Sequence, residues 1–158
     1  MKHSFTIYLL TFSILVNGQV KHSVNKAFPL PKVDKRVELL SLVFRIAGSP
    51  EYNDRVFSSY VNDIHTHFDK YKNHEIFSLA SNLRKEYDIS FDAVMDLALH
   101  IEQPPKLNPL FEFSSSLDDR WNNKNALEFI EILQQFYIDT DCESFFNEHE
   151  ELYKVAED

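Results

Sequence analysis

The chain has 158 residues, 44% of them apolar, with 16 basic against 25 acidic side chains and a net charge of −9. A surface this acidic repels phosphate backbones and anionic headgroups, which argues against nucleic acid and acidic lipid as partners. Two glycines are too few for a phosphate-cradling loop or for a turn-dense β architecture.

The first predicted element is an export signal. Lys2 and His3 form a short positive head, and residues 7–16 (IYLLTFSILV) are an apolar run broken only by Thr11 and Ser13. The run is short of the ~20 residues needed to span a bilayer. Val16 and Gly18 suit the positions three and one before a signal-peptidase cut, so cleavage is expected between Gly18 and Gln19. An uncleaved anchor or a buried first strand are the alternatives. No cysteine lies near the cut, so a bacterial lipoprotein anchor is not available there. The expected mature chain is exported, periplasmic or secreted, with no integral membrane segment after the signal is removed. Residues 19–34 lack periodicity, contain Pro29 and Pro31, and read as an extended, basic linker.

A helical domain is expected over 35–158. Its first helix starts at Lys35 and is apolar nearly all round; only Glu38, Ser41 and Arg45 form a narrow polar stripe, the pattern of a buried central helix. Gly48 and Pro50 stop it. A second helix is expected over 58–71, with Tyr60, Ile64, Phe68 and Tyr71 on one face. Asn73 is the expected cap of a third, carrying Ile76, Leu79, Ala80, Leu83 and Tyr87. Ser90 is the expected cap of a fourth, with Phe91, Val94, Met95, Ala98 and Ile101 inward. Residues 103–116 read as a loop pinned to the core by Leu110, Phe111 and Phe113. Asn122 or Asn123 opens a fifth helix with Ala126, Phe129, Ile130, Leu133, Phe136 and Tyr137 inward. Thr140 and Glu143 match a capping box for a sixth, carrying Phe145, Phe146, His149, Leu152, Tyr153 and Ala156. The fold class is therefore all-α, a compact irregular bundle of about six helices. The last helix meets no Gly, Asn or Pro stop and ends in acids where the dipole prefers cations, so the domain is expected to continue beyond Asp158.

Reactive groupings are sparse. His65 and His67 are two apart on a helix and point to nearly opposite sides, so they cannot share an ion. His74 is expected to be exposed. His100 and His149 read as structural, His149 despite the glutamates around it. Asp118 and Asp119 precede Arg120 and Trp121 and read as capping or solvated acids. Ser114 to Ser116 lack the Gly-x-Ser-x-Gly turn of a nucleophile. Cys142 is the only cysteine, so no internal disulfide framework exists; it reads as a small semi-buried residue, a reactive thiol, or half of a bridge to a missing part. No catalytic or metal-ligating set emerges. The candidate binding residues are Tyr52, His100, Phe113, Arg120 and Trp121, the last weighed against a core-plug role.

One string carries a resemblance: Glu38-Leu39-Leu40-Ser41, Phe44-Arg45-Ile46-Ala47-Gly48 and Glu51-Tyr52-Asn53. It is followed by Tyr71-Lys72-Asn73-His74, Ser90-Phe91-Asp92-Ala93-Val94-Met95, Asp119-Arg120-Trp121 and Phe145-Phe146-Asn147-Glu148-His149. In this order the segments resemble the N-terminal half of an uncharacterised, domain-of-unknown-function family of exported proteins, mostly from Bacteroidetes. Longer members of that family resemble zinc metallopeptidases, with a His-Glu-x-x-His helix in a second half. This chain has no such motif: His74-Glu75 is followed by Ile76-Phe77-Ser78. No catalytic residue carries over. The resemblance implies a helical front half, inactive alone, whose partner is a missing C-terminal catalytic half that would hold any zinc. The alternative is a complete small helical binding module taking a peptide or protein ligand; a self-contained enzyme is the remotest reading.

Overall fold

The computed structural model describes residues 32–54, 59–113 and 117–157. The expected signal, its cleavage site and residues 19–31 of the linker lie outside these residues, as do Ser58, Ser114 to Ser116 and the side chain of Ala156. Among the described residues there are eight α-helices, one 3-10 turn and no strand, the only β-type pairing being an isolated bridge between Ile101 and Pro109. The all-α expectation holds. No helix of the described residues is long and apolar enough to cross a membrane.

Helix α1 (Lys35–Ile46) begins where the Asp34 carboxylate accepts the Arg36 N–H at 2.9 Å, satisfying one of the four orphan donors of a helix start. It ends in a Schellman turn. Gly48 N–H donates to the Arg45 carbonyl and Ser49 N–H to the Phe44 carbonyl, both at 3.0 Å. That turn requires the left-handed φ of 84° at Gly48, which an L side chain resists although there is open space for a Cβ. A one-turn helix α2 (Pro50–Asn53) follows at once, with Pro50 at its first position. Asn53 Nδ2 reaches back to the Arg45 and Ser49 carbonyls, each at 2.9 Å, and locks the corner. This helix was not expected; four residues are too few to show a period.

Helix α3 (Ser59–Phe68) runs into a 3-10 turn (Asp69–Tyr71), and α4 (Glu75–Tyr87) follows. Its cap is His74, not Asn73: the His74 Nδ1 accepts the Ile76 N–H at 3.3 Å. The imidazole is consequently tucked in, against the ring of Phe136 at 5.2 Å, instead of exposed. Helix α5 (Phe91–Leu99) precedes the loop, and α6 (Asn123–Asp139) has the cap and inner face its sequence announces. Asn122 Oδ1 accepts the Asn125 N–H at 2.9 Å, and all six expected side chains are buried.

Two further expectations are corrected. No capping box forms at Thr140. Its hydroxyl instead donates to the Phe136 carbonyl at 2.7 Å, and Asp141, at a φ of 53°, becomes the residue before α7 (Cys142–Glu148). The expected sixth helix is broken at His149, whose Nδ1 donates to the Phe145 carbonyl at 2.8 Å; α8 (Glu150–Glu157) starts afresh with Leu152 exposed and Tyr153 buried.

The central position of α1 follows from its all-round apolarity: Leu39, Leu40, Leu42, Val43 and Phe44 are fully enclosed. It packs on α4 and α5. It runs opposite to α5, since Arg36 at its start reaches the Ile101 carbonyl at 3.0 Å while Tyr52, beyond its end, meets Phe91. Phe44, Phe68, Phe129, Phe136, Phe145 and Phe146 fill the interior, each worth about 1.5–3 kcal/mol of burial. The α1 polar stripe is half-buried, and Glu38 within it is partnered. Tyr60 of α3 donates its hydroxyl to Glu38 at 2.7 Å and meets the Tyr153 hydroxyl of α8 at 2.7 Å.

Candidate functional site

The arc that α5 leaves outward is the most telling surface of the molecule. Ala93, Val94, Leu97 and Ala98 turn into the core. Phe91, Met95 and Leu99 recur at spacings of four, so they lie one above the next on the opposite arc, and they are 57%, 40% and 53% exposed. Phe91 and Met95 were expected inward; a nine-residue helix with apolar residues on two arcs gives the period but not which arc meets the core. At the upper end of this stripe the ring of Tyr52 lies 6.0 Å from that of Phe91. The backbone of Phe91 has a φ of 29°, a costly value for a bulky residue. The Tyr52 hydroxyl is enclosed with no hydrogen-bond partner among the described residues, and burial, helped by Glu51 and Asp92, pushes it up to about 12.

Beside the stripe lies a strip of acids. Asp92 and Asp96 from α5 and Asp118 and Asp119 from the segment before α6 line a shallow cleft of about 400 Å³ together with Leu117. Arg120 lies beside it, 2.7 Å from Asp92 and 2.8 Å from Asp118, and its Nη1 also donates to the Asp88 carbonyl at 3.3 Å. These hydrogen bonds hold Asp118 down at about 2 and lower Asp92. Asp96 accepts the Asp118 N–H at 2.7 Å. Below α5 the indole N–H of Trp121 donates to the Ala93 carbonyl at 2.8 Å from a buried position, which ties the acid-bearing segment to the helix.

A second apolar feature sits at the far end of α5. Pro109, Phe111, Phe113 and Leu127, with Glu112 and Asn123, line a groove of about 490 Å³. Phe113 is buried, whereas Leu110 and Phe111, expected to pin the loop, are half exposed; Leu107, which went unnoticed in the sequence, is the buried anchor instead. Hydrogen bonds shape the loop: Leu110 N–H to the His100 carbonyl at 3.0 Å, and Gln134 Nε2 to the Lys106 carbonyl at 2.9 Å. His100 donates from Nδ1 to the Asp96 carbonyl at 2.7 Å, and its ring stands edge-on to Phe111 at 5.2 Å.

Four of the five residues singled out in the sequence border α5: Tyr52, Arg120 and Trp121 gather at its first turn and His100 caps its other end. Phe113 is buried beside the groove with Phe111. Sequence reasoning missed Met95 and Leu99 as surface residues, and the Glu38–Tyr60–Tyr153 chain, whose members are 22 and 93 residues apart. The remaining histidines go elsewhere. His67 donates to the Thr140 carbonyl at 2.7 Å, and His149 also lies 3.3 Å from Asp63. Both edge a polar groove of about 490 Å³ with Asp63, Lys70 and Glu148. Among the described residues no three His, Cys, Asp or Glu side chains are placed to hold a metal ion. Cys142 is fully buried, not semi-buried, and burial pushes its thiol up to about 12, which leaves it protonated and unreactive at neutral pH.

The arginine-held acids give a first expected result. Asp34, clamped by Arg36 at 2.6 Å, and Asp118 are each lowered from 3.8 to about 2, chiefly by their arginine hydrogen bonds. A depressed folded-state value contributes stability above the unfolded pKa and loses it as pH falls toward the folded one. Stability should thus decline from about pH 4 toward pH 2. After allowance for solvent screening each pair is worth ~1 kcal/mol. Urea unfolding of Asp34→Asn with Asp118→Asn should show a flatter acid limb than the parent; an identical limb would mean the clamps add nothing.

The geometry defines a class: an all-α bundle whose most conspicuous surface is an apolar helix face edged by acids. No protein-family model, curated protein or solved structure matches the chain.

Proposed function

We propose that this chain is a helical interaction module of an exported protein, acting by docking a protein segment on the outer face of α5. The observation that carries the reading is the stripe of Phe91, Met95 and Leu99, three large apolar side chains aligned on one helix and open to solvent. Singly exposed apolar residues are ordinary, but aligned ones that continue into exposed Leu110 and Phe111 and an apolar groove mark binding surfaces. The apolar run of residues 7–16 supports export, and the string 37–53 supports the narrower form of the reading, in which the module fronts a zinc-peptidase-like polypeptide and docks its second half. The experiment is site-directed photo-cross-linking in the cells that make the protein. A photoreactive residue at position 95 should give a discrete higher-mass adduct, whereas the same residue at position 82, on the exposed side of α4, should not. Equal labelling at the two positions would sink the reading.

A further inference from the structure

The acids beside the stripe say what kind of segment fits it. We propose that the outer face of α5 seats a cationic amphipathic helix of a partner protein; this rests on the interaction reading above and deepens it. From Phe91 to Leu99 the stripe spans ~12 Å at 1.5 Å per residue. That matches the two-turn contact an amphipathic helix makes through apolar anchors spaced three and four apart. Rotation of about 100° per residue puts Asp92 and Asp96 on the flank of the stripe, and Asp118 and Asp119 face them across the cleft. Among the described residues four carboxylates meet one guanidinium there, that of Arg120, already engaged by Asp92 and Asp118, and one imidazole, that of His100, 3.6 Å from Asp96. At the Leu99 end, Arg36 is neutralised by Asp34. A helix with lysines or arginines beside its apolar anchors would place them against this surplus, and one with acids would be repelled. A second copy of this chain is disfavoured by the same electrostatics, since each copy carries a net charge of −9.

The test uses two labelled designed helices of about 18 residues with one leucine pattern, a Leu/Lys helix and a Leu/Glu helix. Each is titrated with the whole chain by fluorescence anisotropy at about 50 and 300 mM salt, either side of the range where screening becomes strong. The Leu/Lys helix should bind. Met95→Ser with Leu99→Ser should weaken it by about tenfold or more, since two apolar contacts are lost. Asp92→Asn with Asp119→Asn should weaken it several-fold at low salt and less at high salt. All four positions are on the surface, and circular dichroism checks that the variants remain folded. Leu/Lys binding indifferent to the serine pair would be mere charge adsorption and would overturn the proposal, as would equally tight binding of the Leu/Glu helix. Self-association abolished by the serine pair would overturn it in favour of a second copy. If neither helix binds while position 95 still cross-links in cells, the cationic partner is wrong and the interaction reading survives; if both experiments fail, both fall.

Discussion

Phe136→Ala is expected to cost ~3–5 kcal/mol, most of the stability margin of a domain that holds only ~5–15 kcal/mol in all. The ring is fully buried on α6. It packs on Phe68 of α3 at 5.7 Å, on Phe77 of α4 at 5.3 Å and on the capping imidazole of His74 at 5.2 Å. Three helices converge on it, so none can move in to fill the space without leaving another contact, and the cavity term adds to the lost transfer energy. Phe111→Ala, half exposed in the loop, is the matched control and should change stability by no more than ~0.5 kcal/mol. Urea unfolding midpoints at constant slope measure both. A loss below ~1 kcal/mol at Phe136 would show that α3, α4 and α6 do not meet as described.

Tyr60→Phe is expected to cost ~2 kcal/mol near neutral pH, because it removes the donor from a largely enclosed carboxylate. Burial raises Glu38; the Tyr60 hydroxyl, then Arg45 and His149, pull it back only in part. The linkage has an unusual sign for an acid. A folded-state value above the unfolded one means the folded protein holds the proton more tightly, so the group's stabilising contribution is present below the ordinary value of 4.5 and is lost as pH rises through the raised one. Tyr60→Phe takes away the largest restoring interaction, and its cost should therefore shrink at pH 4.5 relative to pH 7.5. Glu38→Gln, whose side-chain oxygen still accepts the Tyr60 hydroxyl, should stabilise the protein at pH 7.5 and flatten the decline above pH 4.5. A parent and Glu38→Gln pair with parallel pH profiles would refute the account. The same chain ties α8 down, since Tyr153 is its buried contact to Tyr60 while Leu152 and Val155 stay exposed. Tyr60→Phe should accordingly also hasten amide exchange in α8.

The elements legible in the sequence are those with a long period and a local cap. Helix α6, at 17 residues, repeats its apolar face often enough that one arc is favoured, and its Asn cap acts on a neighbour three residues away. Helix α1 is legible for the opposite reason: with apolar residues nearly all round, no choice of arc is needed. Where the elements are short the reading fails in kind. The four residues of α2 show no period. The single helix expected after Thr140 splits because the His149 side chain bonds a backbone carbonyl, a contact the apolar pattern does not reveal. The cap of α4 shifts by one residue because the His74 imidazole nitrogen, tucked against Phe136, is the group that accepts the Ile76 N–H.

The candidate surface was half legible for a related reason. Tyr52, His100, Phe113, Arg120 and Trp121 are residue types that recognise or plug, and packing gathers four of them around α5, with Phe113 buried beside the neighbouring groove. Of the outward stripe of α5, the sequence places Phe91 and Met95 inward together with Val94 and Ala98, of which only the last two are buried, and it does not single out Leu99. By itself the sequence determined the helical class, the acidic surface, the central position of α1 and the inner face of α6, because these depend on composition and on contacts a few residues apart. Only the tertiary structure decided which arc of α5 faces water, that Glu38 is covered by two tyrosines, and that four aspartates from two segments share a cleft. Those outcomes depend on where chain segments tens of residues apart come to rest, which no local period encodes.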